Sequence, residues 1–200
     1  MVNYSVAIKS IITEPSSEEW DLLYKDLPSD LIDKANRFKS WKQKAVRLIG
    51  WQLLLTELNK LGFPDLINHI GFAEKGKPFF EKGKVFFNLS NTKNTVIVVV
   101  SDSEIGVDLE FNRPYKKSIY TRVFCKKEIT FLEASSNEAF EFINLWTKKE
   151  AVVKLFGGGI SMGLTNFSVL KNELTVFSKT VLIDKYEVEG GIAHVACFKP

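Results

Sequence analysis

Cysteine is scarce: Cys125 and Cys197 are the only two in 200 residues. That excludes a disulfide framework, and their wide separation excludes the thiolate spacing of a structural zinc site. Both are read as reduced thiols. Histidine is equally scarce, at His69 and His194. Neither stands in a Ser/His/Asp or Cys/His signature, so both are read as structural. The longest apolar run, Val96–Val100, falls far short of the ~20 residues that cross a bilayer. The opening MVNYSVAIKS lacks the basic start and long apolar stretch of a signal peptide, so a cytoplasmic location is expected, without membrane attachment. There is no phosphate-binding Gly-Lys-Ser/Thr loop either. The Gly157-Gly158-Gly159 run follows a helical pattern instead of opening one, and reads as a helix stop.

What remains is a core-forming composition. Hydrophobic residues make up 45% of the chain and charged residues 26%, which excludes wholesale disorder. The net charge is only +3, but it is unevenly spread. Lys34, Arg37, Lys39, Lys42, Lys44 and Arg47 form one stretch without an acid, and Arg113, Lys116, Lys117, Arg122, Lys126 and Lys127 form a second. Such stretches attract phosphates or an acidic protein, or simply make a solvated helix face. Lys39-Ser40-Trp41-Lys42 interleaves basic and aromatic residues as some nucleic-acid binders do. As the start of an amphipathic helix it needs no such ligand, and no nucleic acid is expected.

The element pattern divides into two similar layouts. Val2–Ile12 reads as a strand, and Pro15-Ser16-Ser17 opens a helix with Glu18 and Glu19 in its first turn. A short helix follows Pro28-Ser29-Asp30. Trp41–Leu61 is the clearest helix, stopped by Gly62 and Pro64. Ile70–Ala73, Phe79–Phe80, Val85–Leu89 and Thr95–Ser101 read as strands, and so does Glu104–Glu110. Helices are predicted over Lys126–Ala134 and Asn137–Phe156. Strands are predicted over Phe167–Leu170, Leu174–Phe177, Val181–Val188 and Ile192–Phe198. Each half therefore has a long helix and a strand series. A boundary is expected near Ser101–Glu104, giving halves 1–103 and 104–200, with no Pro/Gly/Ser linker between them.

Two segments carry chemistry. In Ile105-Gly106-Val107-Asp108-Leu109-Glu110, strand alternation puts Asp108 and Glu110 on one face and Val107 and Leu109 on the other. Two carboxylates at ~4 Å repel by on the order of 4 kcal/mol at an effective dielectric near 20. A metal ion, lysine or arginine must compensate, and oxygen-only ligation suits Mg²⁺. In Trp146-Thr147-Lys148-Lys149-Glu150-Ala151-Val152-Val153-Lys154, helical spacing aligns Trp146, Glu150 and Lys154 along one face. Taken singly, the first segment is also an ordinary solvated strand end and the second an ordinary Glu–Lys helix pair.

Together with Phe87-Asn88-Leu89-Ser90, Phe124, Lys127-Glu128, Arg37-Phe38 and Gly76-Lys77-Pro78, these blocks resemble the 4′-phosphopantetheinyl transferases of the surfactin-synthetase-activating type. The resemblance implies an α+β fold: a pseudo-dimer of two similar halves packed around a central cleft. It implies that Asp108, Glu110 and Glu150 hold Mg²⁺, with Mn²⁺ as the alternative ion. It implies that Arg47, Lys77 and Ser90 touch the coenzyme A substrate, with Lys34 at a basic position outside the best-matching blocks. Lys154 matches the lysine that assists phosphoryl transfer. The family often has histidine after the serine of the Phe-Asn-Leu-Ser block, where this chain has Asn91, an uncharged hydrogen-bonding ligand for the coenzyme.

The implied reaction moves the phosphopantetheine arm of coenzyme A to a serine of an acyl carrier protein or peptidyl carrier domain, and releases adenosine 3′,5′-bisphosphate. Glu150 or a metal-bound water takes the serine proton, with Asp108 and Lys154 completing the catalytic set. The basic stretch Arg113–Lys127 is the expected docking surface for an acidic carrier. With both halves in one chain, a monomer is expected. The competing reading is a non-catalytic module that binds coenzyme A or a carrier protein.

Overall fold

Each stretch of alternating or helical pattern must bury its apolar side, and in this chain that happens in two separate cores. The computed structural model describes residues 2–112, 114–159 and 162–200. Arg113, in the second basic stretch, lies outside the described residues. Asn3–Asp102 forms one compact unit, and Ser103–Pro200 with Val2 forms the other. Both are α+β.

In the first unit, strand β1 (Tyr4–Ser10) leads to helix α1 (Ser17–Tyr24). Ser16 and Glu19 cap that helix reciprocally, each side chain accepting from the other's backbone N–H. Helix α2 (Ser29–Asn36) follows, then helix α3 (Trp41–Leu61). Gly62 ends α3 at φ +79°, a left-handed conformation that glycine adopts without steric cost. Strands β2 (Ile70–Phe72) and β3 (Pro78–Phe80) form a hairpin of their own. Strands β4 (Phe86–Thr92) and β5 (Thr95–Ser101) join β1 in an antiparallel sheet ordered β1-β5-β4. Every residue of β5 is buried, as its unbroken Val/Ile run requires. Val96, Val98 and Val100 share a core with Phe87 of β4 and with Leu48, Trp51, Leu54 and Leu58 of α3.

In the second unit, strand β6 (Ile105–Phe111) is followed by the short helix α4 (Tyr120–Val123) and helices α5 (Lys126–Ala134) and α6 (Glu138–Phe156). Asn137 caps α6 by accepting from Phe140 N, and Gly157 ends it at φ +69°. Strands β7 (Glu173–Val176), β8 (Lys179–Val188) and β9 (Gly191–Phe198) complete an antiparallel sheet ordered β6-β9-β8-β7. Phe142, Ile143, Leu145, Val152 and Leu155 of α6 pack with Val181, Ile183, Ile192 and Ala196 of the sheet. Among the described residues, no helix is long and apolar enough to cross a membrane.

One predicted strand is absent. Phe167–Leu170 is irregular, although its apolar pattern suits a strand. Its backbone is engaged by side chains instead of a ladder: Val169 N donates to Glu128, and Phe167 O accepts from Lys149. A segment whose peptide groups are consumed in this way has fewer left for a strand partner.

The approach of α6 to β6 depends on Gly106. A Cβ at this position would lie 2.8 Å from Leu155 Cα and closer still to the Ala151 carbonyl oxygen and Leu155 N. These are backbone atoms, so no rotamer change relieves the contact. Gly106→Ala is expected to push α6 off β6 and destabilise the protein by about 3 kcal/mol, the upper range for forced overpacking. Chemical denaturation of the purified variant measures this, and an unchanged midpoint would show that the helix yields freely.

Candidate functional site

Strand β6 pairs with β9 so that Gly106 lies opposite Ala196, Asp108 opposite His194 and Glu110 opposite Ile192. Ile192 and Ala196 belong to the core that α6 covers, and His194 Nδ1 meets Thr147 Oγ1 of α6 at 2.7 Å. Strand alternation therefore presents Gly106, Asp108 and Glu110 to the α6 side of the sheet. The missing side chain at Gly106 lets the helix down, and the two acids that follow on the same face meet its C-terminal half.

There the two predicted segments converge. Lys154 Nζ donates to Asp108 Oδ1 at 2.7 Å. Asp108 is only 5% exposed, so its carboxylate needs a cationic partner, and Lys154 supplies one. Glu150, one turn earlier on α6, is half-buried. Its pKa is raised above the usual carboxylate range. Burial is the main cause, the charges of Asp108 and Glu110 add to it, and Lys154 opposes it. Asp108, Glu110, Glu150 and Lys154 thus share one electrostatic neighbourhood, built from a strand and a helix of the same unit. Among the described residues, no three His, Cys, Asp or Glu side chains are already gathered as a metal-ligating set.

The residues predicted to meet the coenzyme lie in the first unit. Arg47 is half-buried on α3, and its guanidinium stands over the Phe38 ring at 5.6 Å. Burial lowers its pKa. Among the described residues, no carboxylate lies within ion-pair distance of it. Lys34 on α2 places Nζ 3.5 Å from the Phe72 ring and 3.7 Å from Asp30 Oδ2. Phe72 in turn meets Trp51 edge-on, with centroids 6.5 Å apart, and Trp51 is one helical turn beyond Arg47. Lys77 sits where the β2–β3 hairpin resumes after Gly76, itself at φ +80°. Lys34 and the hairpin carrying Lys77 therefore meet at the Phe72–Trp51 pair, while Arg47, one turn away along α3, packs on Phe38.

Ser90 and Asn91 divide. Ser90 is buried and pairs with Ile97, while Asn91 is exposed and pairs with Val96. Val96 belongs to the core beneath α3 and Ile97 does not. Asn91 therefore points to the α3 side of the sheet and Ser90 to the other, so their side chains do not converge.

Trp146, aligned with Glu150 by the sequence, belongs to an aromatic wall whose other members, Tyr115 and Phe142, the sequence pattern did not single out. Tyr115 stacks on Phe142 at 4.0 Å, and Phe142 stacks on Trp146 at 6.2 Å. With Lys116, Ile119 and Arg122 they line a cavity of about 430 Å³. Only the i, i+4 spacing of Phe142 and Trp146 hints at it in the sequence. His194 is fully buried, and burial, with smaller effects from Lys148 and Lys185, lowers its pKa to about 3. Its imidazole is neutral, in keeping with a structural role.

The family pattern of the 4′-phosphopantetheinyl transferase superfamily matches residues 104–195, the stretch that holds all four residues of the carboxylate neighbourhood. Over 91% of its length the chain is 31% identical to the 4′-phosphopantetheinyl transferase Sfp of Bacillus subtilis, covering 86% of that protein. It is 35% identical to the 4′-phosphopantetheinyl transferase AcpT of Salmonella typhi, over 75% of this chain and 77% of that one. It is 29% identical to the 4′-phosphopantetheinyl transferase ffp of Bacillus subtilis, over 91% and 86%.

The raised pKa of Glu150 has a consequence for stability. Between its ordinary and its raised value the folded state holds a proton that the unfolded state has lost, so this group's contribution to stability falls as pH rises. Glu150→Gln removes the charge at nearly constant shape. At neutral pH in a chelating buffer the variant should melt about 2–4 °C above the parent, the shift expected for ~1 kcal/mol in a chain of this size. The difference should shrink as pH falls through the raised pKa. A lower melting temperature at neutral pH would show that the Glu150 charge is stabilised, not strained.

Proposed function

The chain belongs to the 4′-phosphopantetheinyl transferases and is an enzyme of that class, and from this premise we propose that it moves the arm of coenzyme A onto a serine of an apo acyl or peptidyl carrier protein. The observation that carries this reading is the Asp108–Lys154 contact, with Glu150 and Glu110 beside it. An Asp–Lys contact with two further acids in the same electrostatic neighbourhood suits a diphosphate whose charge must be neutralised.

The donor set fits a divalent metal. Its three members are carboxylates, a hard oxygen set suited to Mg²⁺ and to Mn²⁺, and their mutual repulsion is what a cation relieves. Asp108, Glu110 and Glu150 would hold the ion. Bound there, it would neutralise phosphate charge and favour departure of adenosine 3′,5′-bisphosphate.

The chain's own residues do the rest. The carrier serine Oγ attacks the phosphorus that bears the pantetheine arm, and the bond from that phosphorus to the leaving diphosphate oxygen breaks. Glu150 is the chain's own carboxylate placed to accept the serine proton, directly or through a water beside it. Lys154 offers its ammonium to the charge that grows on the leaving oxygen. Arg47, Lys34 and Lys77 bind the coenzyme's phosphates and adenine, and of Ser90 and Asn91, which face opposite sides of their sheet, only one serves as a hydrogen-bonding ligand. Arg47 is the best supported of these, as a half-buried cation over an aromatic ring without a carboxylate partner among the described residues.

Lys116, Lys117, Arg122, Lys126 and Lys127 are all exposed. Together with the cavity walled by Tyr115, Phe142 and Trp146, they suit an acidic carrier that presents an apolar contact. Trp146 is one helical turn from Glu150, so a carrier docked there lies close to the proposed base. The same reading has the enzyme working in the cytoplasm as a monomer, its two cysteines unpaired and the whole carboxylate set carried by one chain.

Incubating the protein with coenzyme A, Mg²⁺ and several apo-carriers should add about 340 Da to one of them, the mass of the arm, as metal-assisted transfer requires. Excess EDTA and Asp108→Ala should each abolish the gain in mass. Full-rate modification in EDTA would end the metal assignment, and coenzyme binding without modification of any carrier would favour the non-catalytic module. Replacing both Lys116 and Arg122 with glutamate should raise the carrier KM about tenfold and leave the coenzyme A KM unchanged, as loss of charge complementarity predicts. A carrier KM that ignores both charge reversal and high salt would remove this face from the docking surface.

A further inference from the structure

Three consecutive polar residues precede Glu150 on α6, and each is anchored in a different direction. Thr147 Oγ1 meets His194 Nδ1 on β9 at 2.7 Å. Lys148 Nζ donates to Asn172 Oδ1 at 2.8 Å. Lys149, fully buried, donates to Glu128 Oε2 at 2.9 Å and to the carbonyl oxygens of Leu164 and Phe167 at 2.7 Å each. All three donors of its ammonium are used. Glu128, also fully buried, accepts from Cys125 N at 2.9 Å and from Val169 N at 2.8 Å. The pair ties α5, α6 and the segment 164–169 together with every charge satisfied.

Apolar packing does not define the rotation of α6 so sharply. Its buried apolar residues include Phe142, Ile143, Leu145, Ala151, Val152, Val153 and Leu155. Successive helix residues are ~100° apart, so Ala151, Val152 and Val153 alone span about 200° of the circumference. Burial rewards area and not direction, so a helix apolar on most sides can turn about its axis and keep much of it. Hydrogen bonds to a fixed carboxylate and two fixed carbonyls tolerate no such turn. Lys149 and Glu150 are adjacent, so the direction of one sets the direction of the other.

We propose that the Glu128–Lys149 pair is a positioning device that sets the rotation of α6 and so aims Glu150 at Asp108 and Glu110. The proposal rests on the functional reading above in taking those carboxylates as the reacting site. A buried ion pair is weak evidence of net stabilisation, and an apolar pair of similar volume often replaces it without loss of fold. Stability and aim can therefore be separated by experiment.

The test is the double variant Glu128→Leu/Lys149→Met, with Glu128→Asp as a milder partner that keeps the charge but shortens the reach by one methylene. Each is checked for cooperative melting, assayed for carrier modification per folded molecule, and crystallised. The double variant should melt cooperatively and lose about 10²-fold in kcat, the scale of a ~1 Å misplacement. Its KM for coenzyme A should change much less than kcat, because Arg47, Lys34 and Lys77 are untouched. The crystal structure should show the Glu150 carboxyl displaced by about 1 Å or more, the same misplacement read directly. Glu128→Asp should lose about tenfold in kcat on the same basis, and it decides the matter alone if the double variant does not fold. A folded variant with parental kcat and an undisplaced Glu150 would overturn the proposal. A parent protein that modifies no carrier would instead overturn the functional reading, and the crystallographic position of Glu150 would still decide whether the pair aims it.

Discussion

The second unit is organised by the contact of the α6 backbone with β6 at Gly106. Helices usually rest on sheets through a layer of side chains on both elements. At Gly106 one of those layers is missing, and atoms of Ala151 and Leu155 occupy the space a Cβ would fill. The helix is therefore lowest just where Asp108 follows on the strand and Lys154 on the helix. A short ion pair between two elements needs such proximity, and it spans β6 and α6 at 2.7 Å. The same proximity brings Glu150 within reach of two more negative charges. The steric constraint thus creates the electrostatic one.

The electrostatic constraint is felt at Glu150. Near Asp108 the described acids are Glu110 and Glu150, while Lys154 is the cation whose influence on Glu150 is felt. Burial is the main cause of the upward shift of Glu150, and the charges of Asp108 and Glu110 add to it. Sites with such residual strain favour ligands that carry charge of the missing sign. In the first unit the groups held against aromatic rings are cations. Arg47 rests against Phe38, whose ring face holds a cation without neutralising it, while Lys34, against Phe72, also pairs with Asp30.

Periodic segments were the most legible in the sequence. Trp41–Leu61 and Lys126–Ala134 have the predicted bounds, because their caps and stop signals are local. The carboxylate neighbourhood was legible for a different reason. Strand alternation puts Asp108 and Glu110 on one face and helical spacing aligns Glu150 with Lys154, so only the meeting of two rigid faces remained to be found. The residues around Asn91 were less so: neighbours in a matching block, Ser90 and Asn91 fall on opposite faces of their sheet. Phe167–Leu170 misled because its apolar content is strand-like, while its peptide groups serve Lys149 and Glu128, side chains distant in sequence.

That last failure shows how the unit divides its labour. An amphipathic helix finds its orientation from its apolar stripe, because only one face can be buried. Helix α6 has no such stripe. From Leu145 to Leu155 every residue but Trp146, Glu150 and Lys154 is buried, including Thr147, Lys148 and Lys149. Burying lysines costs more than burying leucines, so their presence in a core helix calls for a compensating role. Here each buried polar head finds a partner on a different neighbour: β9, the chain near Asn172, and α5. Hydrophobic burial supplies the adhesion, and these few directional bonds supply the orientation.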